Sequence, residues 1–184
     1  YHQRPYEPPA DVLLVYDTEV YYYTGSTIGS DTFTDAKAVN QATGAAWSSG
    51  VAIETIHLSD LETYDLSRFK VIVFANTWLL RPAQRLWIER HLLPSGKQVI
   101  FQGPAGYCDG ERLDGSWLTN LKQAKKFADP ITDPAQWRQL FREAGAHIYV
   151  EGNRVVHAGG GLILVHGKES FEGQLNLRSG RSFE

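Results

Sequence analysis

Methionine is absent from this 184-residue chain, and cysteine occurs once, as Cys108. A single cysteine excludes an internal disulfide framework and a zinc site built from paired thiolates, and it leaves the redox compartment unread. No apolar run is long enough to predict a membrane-spanning helix. Charge of one sign is also scarce. Eighteen Lys and Arg face 21 Asp and Glu, for a net charge of -3 and a pI near 6.1, which argues against nucleic-acid or anionic-membrane partners. Internal repeats and low-complexity tracts are missing. The opening "YHQRPYEPPADV" carries no initiator and no apolar signal core. It predicts a processed chain or a segment of a larger protein, with residues 1–10 as a linker around Pro8-Pro9.

What is present is ordinary globular composition, 42% hydrophobic and 21% charged, enough for one sizeable domain with a small appendage. "DVLLVYD", "VAIETIHL", "FKVIVFAN" and "KQVIFQG" are short runs whose apolar residues leave no polar face, the mark of strands buried on both sides. Helical patterns alternate with them. "TDAKAVNQATGAAWSSG" predicts a helix capped by Thr34 and stopped at Gly50. "RPAQRLWIERHLLPSG" predicts a second, opened by Pro82 and ended at Gly96. This order predicts an α/β fold with a doubly wound, mostly parallel, flavodoxin-like sheet over residues 11–146.

Within that span, "SWLTNLKQAKKF" reads as a short helix. "DPAQWRQLFREAG" is the clearest helix of the chain: Asp133 caps it, Pro134 opens it, and Trp137, Leu140, Phe141 and Ala144 form its apolar stripe. Residues 147–184 read as a small β-rich part, with turns at Glu151-Gly152-Asn153 and Gly159-Gly160-Gly161 and "GQLNLR" as a last edge strand.

Cys108 lies in "VIFQGPAGYCDG". A nucleophile elbow sets its nucleophile directly at a strand end, between close glycines. Here Gln102-Gly103 ends the strand, Pro104 occupies the turn, and the thiol sits further along. His147, His157 and His166 lie in no recognisable motif that would supply a base. A structural role for Cys108 is therefore expected. "YTGSTIG" suggests a flavodoxin-type phosphate loop, but it neither leaves the first strand directly nor enters the helix directly, so a polar loop is expected there. Asp17 and Glu19 lie just past the first strand, and Asp109 and Glu111 just past the fourth. They form a thinkable carboxylate pair, against the plainer reading as turn formers. Tyr16, Tyr21, Tyr22 and Tyr23, with Trp78 and Tyr107, gather aromatic side chains at the same sheet edge. Stacking on a sugar or a protein, and simple packing under loops, both stand open.

Taken together, "DVLLVYDTE", "GVAIETIHLSDLETYDLSRFKVIVFANTWLL", "RLWIERHLLPSGKQVIFQGPAGYCDG" and "LDGSWLTNL" resemble the trimerisation domain of β-galactosidases of glycoside hydrolase family 42. They also resemble the corresponding domain of large bacterial proteins with a glycosidase-like barrel upstream. The resemblance covers roughly residues 10 to 121. "WRQLFREAGAHIYV" and "GGGLILVHG" look like the stretch just C-terminal to that domain in those proteins. "DLSRFKVIVFAN" and "PAGYCDG" are its most specific parts. The link between "LTNL" and "WRQL" is shorter than in the relatives, and the catalytic barrel lies outside this chain. The family domain is similar to a class I glutamine amidotransferase fold without its catalytic Cys and His.

The resemblance implies a non-catalytic unit that assembles subunits of a glycoside hydrolase as a homo-oligomer, a trimer in the family, and helps wall a neighbouring subunit's sugar cleft. No cofactor or metal is expected. Asp17, Glu19, Tyr22, Asn76, Trp78, Gln102, Tyr107 and Asp109 are the candidate ligand or interface residues. Two alternatives remain: an amidotransferase-like hydrolase using Cys108, and a module binding a sugar or flavin through Asp17, Thr18, Asn76 and Gln102.

Overall fold

The computed structural model describes residues 10–19, 22, 36–159, 162–167, 170 and 172–178. The first four strands are β1 (Val12–Tyr16), β2 (Ser49–His57), β3 (Val71–Asn76) and β4 (Gln98–Gln102). Next come β5 (Lys125–Phe127), β6 (Arg154–Gly159) and β7 (Leu162–His166). These seven form one sheet in the order β5-β4-β3-β1-β2-β6-β7. Every neighbouring pair is parallel except the antiparallel hairpin β6–β7. The helices are α1 (Ala36–Trp47), α2 (Pro82–Trp87), α3 (Ser116–Asn120) and α4 (Pro134–Glu143). The expected mostly parallel α/β sheet is present.

The unbroken apolar strands are explained by burial on both faces. Leu13 and Val15, Ile72 and Phe74, and Val99 and Phe101 face one side, where Ile88 and Leu92 cover them. Val12 and Leu14, Val71 and Val73, and Ile100 face the other, under Ala45 and Ala46 of α1 and Trp137 and Phe141 of α4. Successive side chains of a strand point to opposite faces, so a run with both faces covered has no polar alternation to show.

Several local expectations hold and others shift. Asp133 caps α4, its carboxylate accepting from the Ala135 N–H at 2.9 Å, and Trp137 and Phe141 are fully buried. The helix expected from Thr34 is described only from Ala36, and it ends at Trp47; Thr34 lies outside the described residues. Gly50 is a β2 residue and not the helix stop. It holds φ +80° where the chain at Val150 crosses, and a Cβ there would stand 2.0 Å from the Val150 carbonyl oxygen. Beyond α2 the chain widens into a π-type turn over Ile88–Leu92 and tightens over Leu93–Ser95. Pro94 has no N–H to return to the preceding turn, so a regular helix cannot continue there.

"SWLTNLKQAKKF" splits. Only Ser116–Asn120 is helical, and Lys125–Phe127 extends along β4 as an edge strand, with Ile100 opposite Lys125. Glu151-Gly152-Asn153 is not a hairpin turn. It leads into β6, which joins the main sheet parallel to β2. The reversal between β6 and β7 is the second expected turn, with Gly159 opposite Leu162. "GQLNLR" makes a single bridge, Leu175 to Val150, and no strand.

Candidate functional site

The strand order runs β4-β3-β1 on one side of the sheet and β1-β2 on the other, so the chain reverses its winding between β1 and β3. Crevices at the carboxyl ends of such strands are where open α/β sheets take ligands. Here those ends carry Tyr16-Asp17-Thr18-Glu19 from β1, Asn76 from β3 and His57 from β2. Parallel pairing sets Tyr16 beside both Asn76 and His57.

Asp17 is the centre of this group and is 3% exposed. One carboxylate oxygen, Oδ1, accepts from the Glu19 N–H at 3.0 Å. The same oxygen stands 3.7 Å from His57 Nε2. Burial pushes the Asp17 carboxyl above its ordinary pKa, and the Glu19 N–H and the nearby His57 and Arg81 offset that only in part. Asn76 donates from Nδ2 to the Asp17 carbonyl at 3.3 Å, which ties the end of β3 to the end of β1.

His57 is held by its own downstream turn. The Ser59 N–H donates to Nδ1 at 3.2 Å and Ser59 Oγ lies 2.9 Å from the same nitrogen. On the other side of the ring Nε2 accepts from the Thr18 N–H at 3.4 Å. Thr18 Oγ1 lies 3.2 Å and Asp17 Oδ1 3.7 Å from the same nitrogen, so both ring nitrogens have partners at the strand end. The Tyr16 ring meets His57 edge-on at 5.4 Å. Glu19 pairs with Arg81 across 2.5 Å. Tyr22 is 86% exposed, with its N–H bonded to the Glu19 carbonyl.

The remaining candidates are placed elsewhere. The Gln102 side chain is buried and its Oε1 accepts from the Ile131 N–H at 3.0 Å, so it braces the segment leading to α4. Trp78 is buried with Leu79 and Cys108, and half-buried Tyr107 packs against it at 6.2 Å. Asp109 forms its own loop: its Oδ1 accepts from the N–H groups of Glu111 and Arg112 at 2.8 and 2.7 Å. Those bonds hold its carboxyl below the ordinary range. The charges acting on Asp17 are Glu19, His57 and Arg81, whereas Asp109 lies among Arg85, Arg112 and Asp114. Asp17 and Asp109 therefore belong to different clusters.

Cys108 is 4% exposed. Its backbone bridges Leu79 on one side and Leu113 on the other, and its sulfur accepts from the Gly110 N–H at 3.3 Å. Among the described residues no histidine bonds to that sulfur; His57 is engaged with Thr18 and Ser59, and His147 with Asn176. "YTGSTIG" lies outside the described residues. A groove of about 650 Å³ opens at the opposite end of the sheet, beside Lys70, Lys97, Lys122 and Lys125. Three of these ammoniums are engaged: Lys70 with the Gly145 carbonyl, Lys97 with those of Ser67 and Phe69, and Lys125 with Glu143. It is a structural seam. Among the described residues no group of three or more His, Cys, Asp or Glu gathers to hold a metal, and no helix is long and apolar enough to cross a membrane.

His57 and Arg81 were not legible as site residues in the sequence. His57 ends a strand whose neighbour is known only once the strand order is known, and it meets Thr18 across 39 positions of chain.

Among solved structures, the chain is similar to the β-galactosidase from Bacillus circulans sp. alkalophilus, at TM-score 0.59 and 12% identity. The match covers 82% of this chain and 34% of that one, so the chain spans about a third of that enzyme's length. A second likeness is to Gan42B, a GH42 β-galactosidase, at TM-score 0.39 and 16% identity, covering 52% of this chain and 14% of that chain. No family model and no curated protein matches the chain. The first likeness shows a shared fold.

Proposed function

We propose that this chain is a non-catalytic assembly and accessory unit of a carbohydrate-active, β-galactosidase-like hydrolase. The observation that carries the reading is the outer edge of the sheet. β7 is Leu-Ile-Leu-Val-His, with no proline and no acidic, lysine or arginine side chain. Its Ile163 and Val165 pack inward, while Leu162 and Leu164 stand 76% and 62% exposed on the other face. Edge strands of isolated proteins are ordinarily blunted by charge, proline or a bulge, because their free backbone groups invite pairing. Two leucines on one face of an unblunted edge suit contact with another subunit. A self-pairing about Leu164 would set Leu162 opposite His166 and Ile163 opposite Val165, a self-complementary register suited to copies related by a two-fold axis.

Two further features support the reading. The sulfur of Cys108 is packed away inside a bridged loop, which suits a scaffold better than a nucleophile. The same fold makes up about a third of a β-galactosidase chain, which suits one unit of a larger hydrolase.

Light scattering on the eluting chain should report an oligomer at micromolar concentration. The double substitution Leu162→Lys with Leu164→Lys should give a monomer of unchanged circular dichroism. A wild-type chain that stays monomeric at every concentration removes the assembly role. Hydrolysis of a chromogenic galactoside that disappears in Cys108→Ser would show an enzyme instead.

A further inference from the structure

We propose that the lysine-lined groove at the starts of β3, β4 and β5 binds the phosphate group of a small phosphomonoester whose organic part carries hydroxyls. The inference goes beyond the assembly reading and does not rest on it, since β5 and β7 are opposite edges of the sheet.

The first support is cationic charge without lining acid. Three neighbouring parallel strands each bring a lysine to the same end of the sheet: Lys70 precedes β3, Lys97 precedes β4 and Lys125 opens β5. Adjacent strands lie about 4.8 Å apart, so the three stems rise side by side. Lys122 joins them, and no Asp or Glu lines this groove of about 650 Å³. Nearby carboxylates offset only part of the charge. Glu143 pairs with Lys125 at 3.1 Å. Asp11 stands 3.5 Å from Lys70 but takes Arg178 at 2.8 Å, so two cations share one carboxylate. Lys97 donates to the carbonyls of Ser67 and Phe69, which accept its protons and leave its charge in place. Packing of the seam accounts for these three ammoniums and not for Lys122, which is exposed and has no hydrogen bond or ion pair among the described residues. A local excess of one sign, in a chain of net charge -3, draws an anion to it.

The second support is an unused donor. Gln98 lines the groove, and its Nε2 is buried with no hydrogen-bond partner. A buried donor left unpaired is unfavourable, and a phosphate oxygen supplies the acceptor. No arginine lines the groove. Planar guanidinium forks suit carboxylates, whereas separate ammoniums act as point charges around a tetrahedral oxyanion.

The third support is the neighbouring hollow. Lys122 and Gln123 also line a space of about 430 Å³ beside Trp117, Asn120 and Glu89. Trp117 Nε1 donates to Glu89 at 2.5 Å. The carboxylate there repels a second anionic group, while it and the Asn120 amide can exchange hydrogen bonds with hydroxyls. The ligand is therefore anionic at one end and neutral and hydroxylated at the other.

The test is calorimetric titration of the full chain with glucose 6-phosphate, with glucose and inorganic phosphate as its two halves, and the Gln98 side-chain amide followed by NMR. Glucose 6-phosphate should bind saturably, shift the Gln98 amide and weaken as sodium chloride is added. Inorganic phosphate should compete, and glucose alone should not bind. Lys122→Glu, at an exposed position, should weaken the ester by about tenfold or more, and Lys97→Gln by about fivefold. Arg112→Gln removes a charge at the opposite end of the sheet and should change nothing. Absence of saturable binding, a silent Gln98 amide, glucose binding as tightly as its phosphate, or undiminished affinity in both lysine variants would each overturn the proposal. So would retention of the chain on vesicles containing phosphatidic acid that glucose 6-phosphate fails to displace.

Discussion

At the residue scale, burial sets the charge of Asp17 against the stability of the fold. Its folded pKa is raised above the ordinary 3.8 by burial, so the native state holds the proton more tightly than the unfolded chain. The contribution to stability is fully present below 3.8 and is lost as pH rises through the folded value. Asp17→Asn keeps the shape and still accepts from the Glu19 N–H, but it removes the ionisation. The variant should therefore be the more stable protein at neutral pH, with the difference shrinking as the solution is acidified. Urea unfolding at several pH values measures this, and a variant that is less stable at neutral pH contradicts it.

Secondary elements differ in how much of their existence is local. In α4 the cap, the proline opening and the apolar stripe all point to the same helix, and the structure has it at Pro134–Glu143. Asp133→Ala should remove the bond to the Ala135 N–H and cost about 1 kcal/mol. Phe141→Ala should cost about 3–5 kcal/mol, since that ring is fully buried against Trp137 at 5.3 Å between ring centres. Chemical denaturation that finds the two losses equal would mean that α4 is held by its cap as much as by its packing. β5 is the opposite case. Lys125-Lys126-Phe127 carries no strand pattern of its own and reads as the tail of a helix. It is extended because the edge of β4 offers backbone partners, and the Lys126 ammonium then finds the carbonyls of Leu118, Thr119 and Leu121.

Across the whole molecule, distant parts of the chain converge on Asp11 at the start of β1. Its side chain is 5% exposed. It takes the Arg178 guanidinium at 2.8 Å, the Lys70 ammonium at 3.5 Å and the His147 N–H at 2.8 Å. Asn176 adds a bond from its N–H to the Tyr149 carbonyl. The segment around residues 172–178 is thereby strapped to the base of the sheet. Asp11→Ala should leave the His147 N–H unsatisfied and cost about 2 kcal/mol. It should also expose that segment to limited proteolysis before the remainder of the chain is cut. Simultaneous loss of both would show that the strap and the sheet unfold as one unit.

The apolar runs and helix signals of the sequence were by themselves sufficient for the class of fold, because burial on both faces leaves its mark on every strand wherever that strand sits. They also disfavoured a nucleophile at Cys108, because the distance from strand end to thiol is a matter of chain position alone. Only the tertiary structure decided which strands are neighbours. That order brings His57 beside Asp17, turns Gln102 toward Ile131, buries Trp78 with the cysteine and sends β6 alongside β2. The physical reason is that parallel pairing joins residues far apart in the chain through backbone hydrogen bonds, which are alike for every residue type and so leave no trace in the sequence of either strand.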